Sequence, residues 1–223
     1  MEKCANLALG VMALFLLLLL GPPARGEMYV AGQVGVTLPN DATSVEYSTN
    51  LLPGQTFKGN DLELQTAVMY GAKLGYYFES IKWLGLETEV YNTNPHVKQQ
   101  NVVVGGTSLG VVSGSHLRVL NWSPVTVVAR YQMGRLEPYA GVGLGLYFAR
   151  LKDSASGDST SSTTPGLNTQ VGLRYRITDH VALFGEWKYN YARLNFDETP
   201  TAFLKTDATY TAHHLVFGLG YHF

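Results

Sequence analysis

Eight charged residues, Lys73, Glu87, Glu89, Arg130, Arg174, Arg176, Glu186 and Lys188, lie inside segments that are otherwise largely apolar. Side chains two apart in an extended strand share a face, so Glu87 with Glu89, Arg174 with Arg176, and Glu186 with Lys188 are set to project together from one side of a sheet. Charge is buried tolerably only when it is paired, and both signs are well represented here. Other chemistry has thinner support. His213 and His214 point to opposite faces of one strand and cannot share a metal ion without a bulge; no cysteine or suitably spaced carboxylate joins them. Ser113 and Ser115 sit beside His116, a nucleophile and base by type, but neighbours along a strand or loop need not meet in space. Gly141, Gly143 and Gly145 resemble a phosphate-binding loop in spacing, yet no helix follows to converge amides on a phosphate. Their expected role is to leave room for bulky inward residues of neighbouring strands. No catalytic, cofactor-binding or metal-ligating residue is assigned.

The charged positions belong to eight segments with period-two alternation, close to the length that a tilted strand needs to cross a bilayer. They run over residues 28–38, 66–78, 84–91, 117–131, 137–151, 167–177, 181–191 and 210–223. In the second, Val68, Tyr70, Ala72, Leu74, Tyr76 and Phe78 oppose Gly71, Lys73 and Gly75. In the sixth, Leu167, Thr169, Val171, Leu173, Tyr175 and Ile177 oppose Asn168, Gln170, Gly172, Arg174 and Arg176. Long helical periodicity is absent after residue 26, which predicts an all-β fold.

Residues 1–26 have the layout of a cleavable signal peptide. Lys3 precedes an unbroken apolar run from Leu7 to Leu20, and Gly21-Pro22-Pro23-Ala24-Arg25-Gly26 supplies a small-residue cleavage region. The run is shorter than the roughly 20 residues that a membrane-spanning helix needs. Cleavage near Gly26 leaves Glu27 as the first mature residue and residues 27–223 as one domain. The single cysteine, Cys4, lies in the removed segment, so stability must come from closure and packing rather than disulfides. A net charge of −1 gives no reason to expect nucleic acid as a partner.

Connections alternate in length. Residues 79–83, 132–136 and 178–180 form short links, whereas 39–65, 92–116, 152–165 and 192–209 are long. Residues 152–165 are rich in Ser and Thr and are expected to be mobile. Within 92–116, Val102–Val104 and Leu109–Val112 are apolar enough to extend a hairpin.

A mean hydropathy of +0.01 suits a soluble lipocalin-like barrel or a transmembrane barrel. Aromatic residues near the ends of the apolar faces favour lipid outside: Tyr76, Phe78, Tyr131, Tyr175, Tyr221 and Phe223 at the short turns, and Tyr70, Phe148, Tyr189 and Tyr191 toward the long loops. The eight charged residues then line a lumen only wide enough for its own side chains.

The segment Gly218-Leu219-Gly220-Tyr221-His222-Phe223 ends the chain inside a strand. Its Gly218, Leu219, Tyr221 and Phe223 resemble the C-terminal assembly signal of bacterial outer-membrane β-barrels. With the signal peptide, the Pro138-Tyr139 start of a Gly-alternating strand and Phe184-Gly185-Glu186-Trp187-Lys188-Tyr189, nearly all of the chain after residue 26 is similar to the small outer-membrane β-barrel family that includes the OmpA transmembrane domain, OmpX and Opa-type proteins.

That resemblance implies a closed up-and-down antiparallel barrel of eight strands in the outer membrane, exported through the periplasm, with four long loops outside. It implies outer-membrane lipid and the barrel assembly machinery, engaged through the C-terminal strand, as partners, and an extracellular ligand bound through the loops. The expected role is structural or in surface interaction, without a cofactor. The alternatives are a lipopolysaccharide-modifying enzyme on the same scaffold and a narrow porin-like channel.

Overall fold

Alternating side chains give each segment one apolar and one polar or small face, and a sheet with two such faces is satisfied by curling until its edges pair. The computed structural model describes residues 26–40, 43–48, 56–58, 63–96, 100–104, 107–112, 116–152, 159–196 and 205–223. Residues 1–25, which carry the expected signal peptide, lie outside them, as do Ser113 and Ser115.

All regular elements among the described residues are strands: β1 (Glu27–Pro39), β2 (Thr43–Ser48), β3 (Thr56–Lys58), β4 (Ala67–Tyr77), β5 (Leu84–Thr93), β6 (Gln100–Val104), β7 (Thr107–Val112), β8 (His116–Arg130), β9 (Leu136–Lys152), β10 (Ser159–Arg176), β11 (Val181–Phe196) and β12 (Lys205–His222). Eight of them, β1-β4-β5-β8-β9-β10-β11-β12, form an antiparallel barrel that closes by pairing β1 with β12. The closing register runs from Tyr29 opposite His222 to Pro39 opposite Ala212, and the amide of Phe223 adds a hydrogen bond of 2.9 Å to the carbonyl of Met28. Stepping perpendicular to the strands from Leu136 leads through Tyr175, Leu183, Leu219, Gly32, Ala72, Val90 and Trp122 to Leu146, ten residues further along β9. A shear of ten over eight strands tilts them by roughly 40° to the barrel axis.

The predicted faces hold. Val34, Val68, Val142, Leu144, Leu173, Phe217 and Leu219 point outward and are exposed. Trp83, Tyr131, Tyr175, Tyr221 and Phe223 ring the short-turn end, with Tyr221 and Phe223 edge to face at 5.1 Å. The turns there are tight. Met133 and Leu136 exchange backbone hydrogen bonds of 2.8 and 3.1 Å around Gly134, whose φ of 63° suits a residue without Cβ.

The expected strand limits require correction. β10 begins at Ser159, so Ser159–Pro165, predicted as mobile loop, is strand. The cause is β9, which continues to Lys152 and offers pairing edges from Lys152 opposite Ser159 onward. Likewise β11 extends to Phe196 and β12 starts at Lys205, with Phe196 opposite Thr206. β2 pairs with the upper part of β12 beyond the end of β1 and carries β3 beside it. The hairpin expected around Val102–Val104 and Leu109–Val112 forms as β6 and β7, but as a separate two-stranded sheet outside the barrel wall. Pro124 is accommodated in β8 by a register shift between Trp122 and Val125, which reverses which positions face inward.

Gly75 faces inward, where a Cβ would run into the ring of Tyr29, whereas Gly32 faces outward into open space. Gly75→Val should therefore destabilise the barrel by about 1–3 kcal/mol through overpacking. The temperature at which the folded gel band converts to the unfolded one should fall, while Gly32→Val leaves it unchanged.

Candidate functional site

Inward positions of all eight barrel strands converge on the lumen, which is filled in tiers. At the short-turn end, Glu137 of β9 receives Arg176 Nε at 2.5 Å, Arg174 at 3.4 Å and Arg130 at 3.5 Å. Glu27 of β1 accepts from Arg130 Nη2 at 2.7 Å, from Arg176, and lies 2.6 Å from His222 Nδ1. The guanidiniums also stack on rings: Arg130 lies 3.6 Å from the Tyr77 centroid and Arg174 4.6 Å from that of Tyr29.

One tier deeper, Lys73 of β4 bonds Glu186 at 2.5 Å and Glu87 at 3.5 Å, while Lys188 pairs with Glu186 at 3.2 Å and with Glu89. Neutral groups complete the carboxylate shells. Tyr139 donates to Glu186 at 2.6 Å, Gln170 to Glu87 at 3.0 Å, Tyr29 to Glu87 and Gln33 to Glu89. The side chains of Lys73, Glu87, Glu89, Glu186 and Lys188 are all at most 3% exposed. Across both tiers five cations, Lys73, Lys188, Arg130, Arg174 and Arg176, meet five carboxylates, Glu27, Glu87, Glu89, Glu137 and Glu186. The equality matters because an unmatched charge at this depth costs several kcal/mol.

Toward the long connections the lumen loses its charge. Asn168 donates to Asn121 at 3.0 Å, and Ser123 to the same oxygen at 2.9 Å. His214 is fully buried between Asn190, 2.9 Å from Nε2, and Thr37, 2.9 Å from Nδ1. Above lies an apolar plug of Leu117, Val119, Tyr147, Leu194 and Tyr210, into which Leu64 descends. The segment that carries Leu64 is held by the Gln65 amide on the His96 carbonyl at 2.8 Å.

All eight charged residues named from the sequence thus face the lumen, in two connected groups. Sequence reasoning missed Glu27, Glu137 and His222 as their partners. Glu137 and Tyr139 share the inward parity of Gly141, so extending the alternation four residues back from Gly141 finds Glu137. Glu27 and His222 meet only because the ends close. Of Gly218, Leu219, Tyr221 and Phe223, Leu219 and Tyr221 face outward on β12 and Phe223 is exposed just past its end, while Gly218 faces inward against the Phe184 ring. His213, by contrast with His214, lies on the outer face and stacks on Trp187 at 5.4 Å. Among the described residues no group of three or more His, Cys, Asp or Glu is placed to hold a metal.

A closed antiparallel barrel of eight strands, apolar outside and ionic within, is a transmembrane barrel of the outer-membrane class. Residues 11–223 match the family described as outer membrane protein beta-barrel domain; the chain belongs to that family and resides in the bacterial outer membrane. Two solved structures share the fold. OprG from Pseudomonas aeruginosa has a TM-score of 0.61 and 15% identity, covering 89% of this chain and 96% of that one. Neisserial surface protein A has a TM-score of 0.51 and 17% identity, covering 88% and 99%. No curated protein matches the chain.

Lys188→Met leaves Glu89 buried without its cation, and should cost about 3–5 kcal/mol. Adding Glu89→Gln should recover part of that loss. Urea unfolding of the vesicle-inserted barrel, followed by tryptophan fluorescence, measures both.

Proposed function

We propose that this barrel is non-catalytic, contributes to envelope structure, and presents its four long connections at the cell surface for interaction. The observation that carries this reading is the lumen: ten mutually paired charges and an apolar plug occupy the space through which a solute would pass or in which a substrate would sit. Binding then falls to the connections, where β2 and β3 and the separate β6–β7 hairpin are added to the eight-stranded wall. Lipid A from cells that express the protein should keep its acyl chains by mass spectrometry; altered chains would replace this reading with the lipid-modifying one.

A narrow channel is the second reading, favoured by inward polar atoms without a hydrogen-bond partner among the described residues, Gln33 Oε1 and Asn121 Nδ2, which mark places for water. Planar bilayers separate the two. The unaltered protein should be silent, and removing the central pair with Lys73→Ala and Glu186→Ala should raise conductance; steady conductance without mutation would favour the channel.

The C-terminal strand is the proposed point of engagement for the assembly machinery. Deleting Phe223 should reduce the amount reaching the outer membrane several-fold, while the same variant refolded in detergent still shows a heat-dependent gel shift.

A further inference from the structure

The outward face of β8 and β9 changes character in a single rung. Below it the wall is apolar: Trp122 lies opposite Leu146, and Leu120 opposite Phe148, the latter two 36% and 38% exposed. On the next rung Arg118 of β8 stands directly opposite Arg150 of β9, both exposed, and one rung further Lys152 lies opposite His116. Like charges directly opposite across a strand pair are destabilising, and among the described residues no carboxylate pairs with Arg118, Arg150 or Lys152.

Both guanidiniums are nevertheless oriented. Arg118 Nε donates to Asn92 Oδ1 at 3.0 Å, and Asn92, itself only 5% exposed, donates to Tyr70 Oη at 3.2 Å. Arg150 Nη2 donates to Ser159 Oγ at 3.0 Å. A buried asparagine on an otherwise apolar wall is costly unless it is hydrogen-bonded, and here its oxygen fixes one arginine. Held this way, each arginine has further N–H groups with no partner among the described residues. On the far wall Arg193 lines a cavity of about 200 Å³ together with Glu46 and Asp207, so acids of this chain are at hand there.

We propose that Arg118, Arg150 and Lys152 dock a phosphorylated lipid of the outer leaflet, with a headgroup phosphate between the two arginines and its acyl chains along Leu120, Phe148, Trp122 and Leu146. An anion placed there removes the repulsion of the arginine pair, and guanidiniums bind phosphate oxygens by strong charge-assisted hydrogen bonds. The position just above the apolar band is where headgroups begin. The proposal rests on the orientation given above, with the long connections outside.

The test uses the full chain purified from outer membranes, in nanodiscs that carry lipid in both leaflets, so that binding is read independently of orientation. Native mass spectrometry compares retention of bisphosphorylated lipid A, monophosphorylated lipid A and phosphatidylglycerol. Bisphosphorylated lipid A should be preferred, and the double variant Arg118→Gln, Arg150→Gln should lose about tenfold or more in retention, whereas Arg193→Gln does not. A heat-dependent gel shift of the double variant shows that it folds. Equal retention by the double variant, full displacement of the lipid by inorganic phosphate, or tighter binding of a sulfated polysaccharide that lacks acyl chains would each overturn the proposal. Labelling Ala155→Cys on intact cells with a membrane-impermeant maleimide reads the orientation separately; an unreactive cysteine there, with lipid retention intact, overturns the orientation and not the docking surface.

Discussion

In a bilayer no water reaches the backbone, so every strand edge must find a partner within the chain. The pairing of β1 with β12 meets that demand, and much of the remaining structure follows from it. Closure with a shear of ten sets the tilt of the strands and the radius of the lumen. The radius then decides that inward side chains touch across the interior rather than line a wide pore. It also brings Glu27 from the first strand and His222 from the last into one hydrogen-bonded group with Arg130 and Arg176 from the opposite wall.

A closed lumen of this width takes its charges out of water, and they are matched in number and linked through shared partners. Glu186 joins Lys73 to Lys188, and Glu137 joins three arginines. Such a network is worth little as a sum of ion pairs, because desolvation cancels most of the attraction. Its effect is on uniqueness: a shift in strand register would separate several pairs at once. Above it the lumen passes through neutral amides to an apolar plug. The interior is thus polar at the short-turn end and apolar at the other, a gradient that no single strand reveals.

The outer wall carries information as well. The irregularity beside Pro124 reverses the parity of β8, so Asn121 and Ser123 turn inward to meet Asn168, while Leu120 and Arg118 turn outward beside Phe148 and Arg150. One bulge therefore both completes the neutral tier of the lumen and aligns the basic rung with its neighbour.

Period-two alternation was enough to assign the eight strands and which side chains share a face, because burial on only one face imposes that pattern on each strand separately, and the aromatic ends of the apolar faces set those faces toward lipid. The resemblance at the C-terminus and in Phe184–Tyr189 pointed to the same class of barrel. Strand ends were less legible: Ser159–Pro165 is as polar as any loop, and it became strand because β9 reached far enough to pair with it. Which charge meets which was not legible at all. Lys73 and Glu186 are 113 residues apart, and their 2.5 Å contact exists only after eight strands have closed in one register. Local pattern is written residue by residue; pairing across the lumen is a property of the closed circumference.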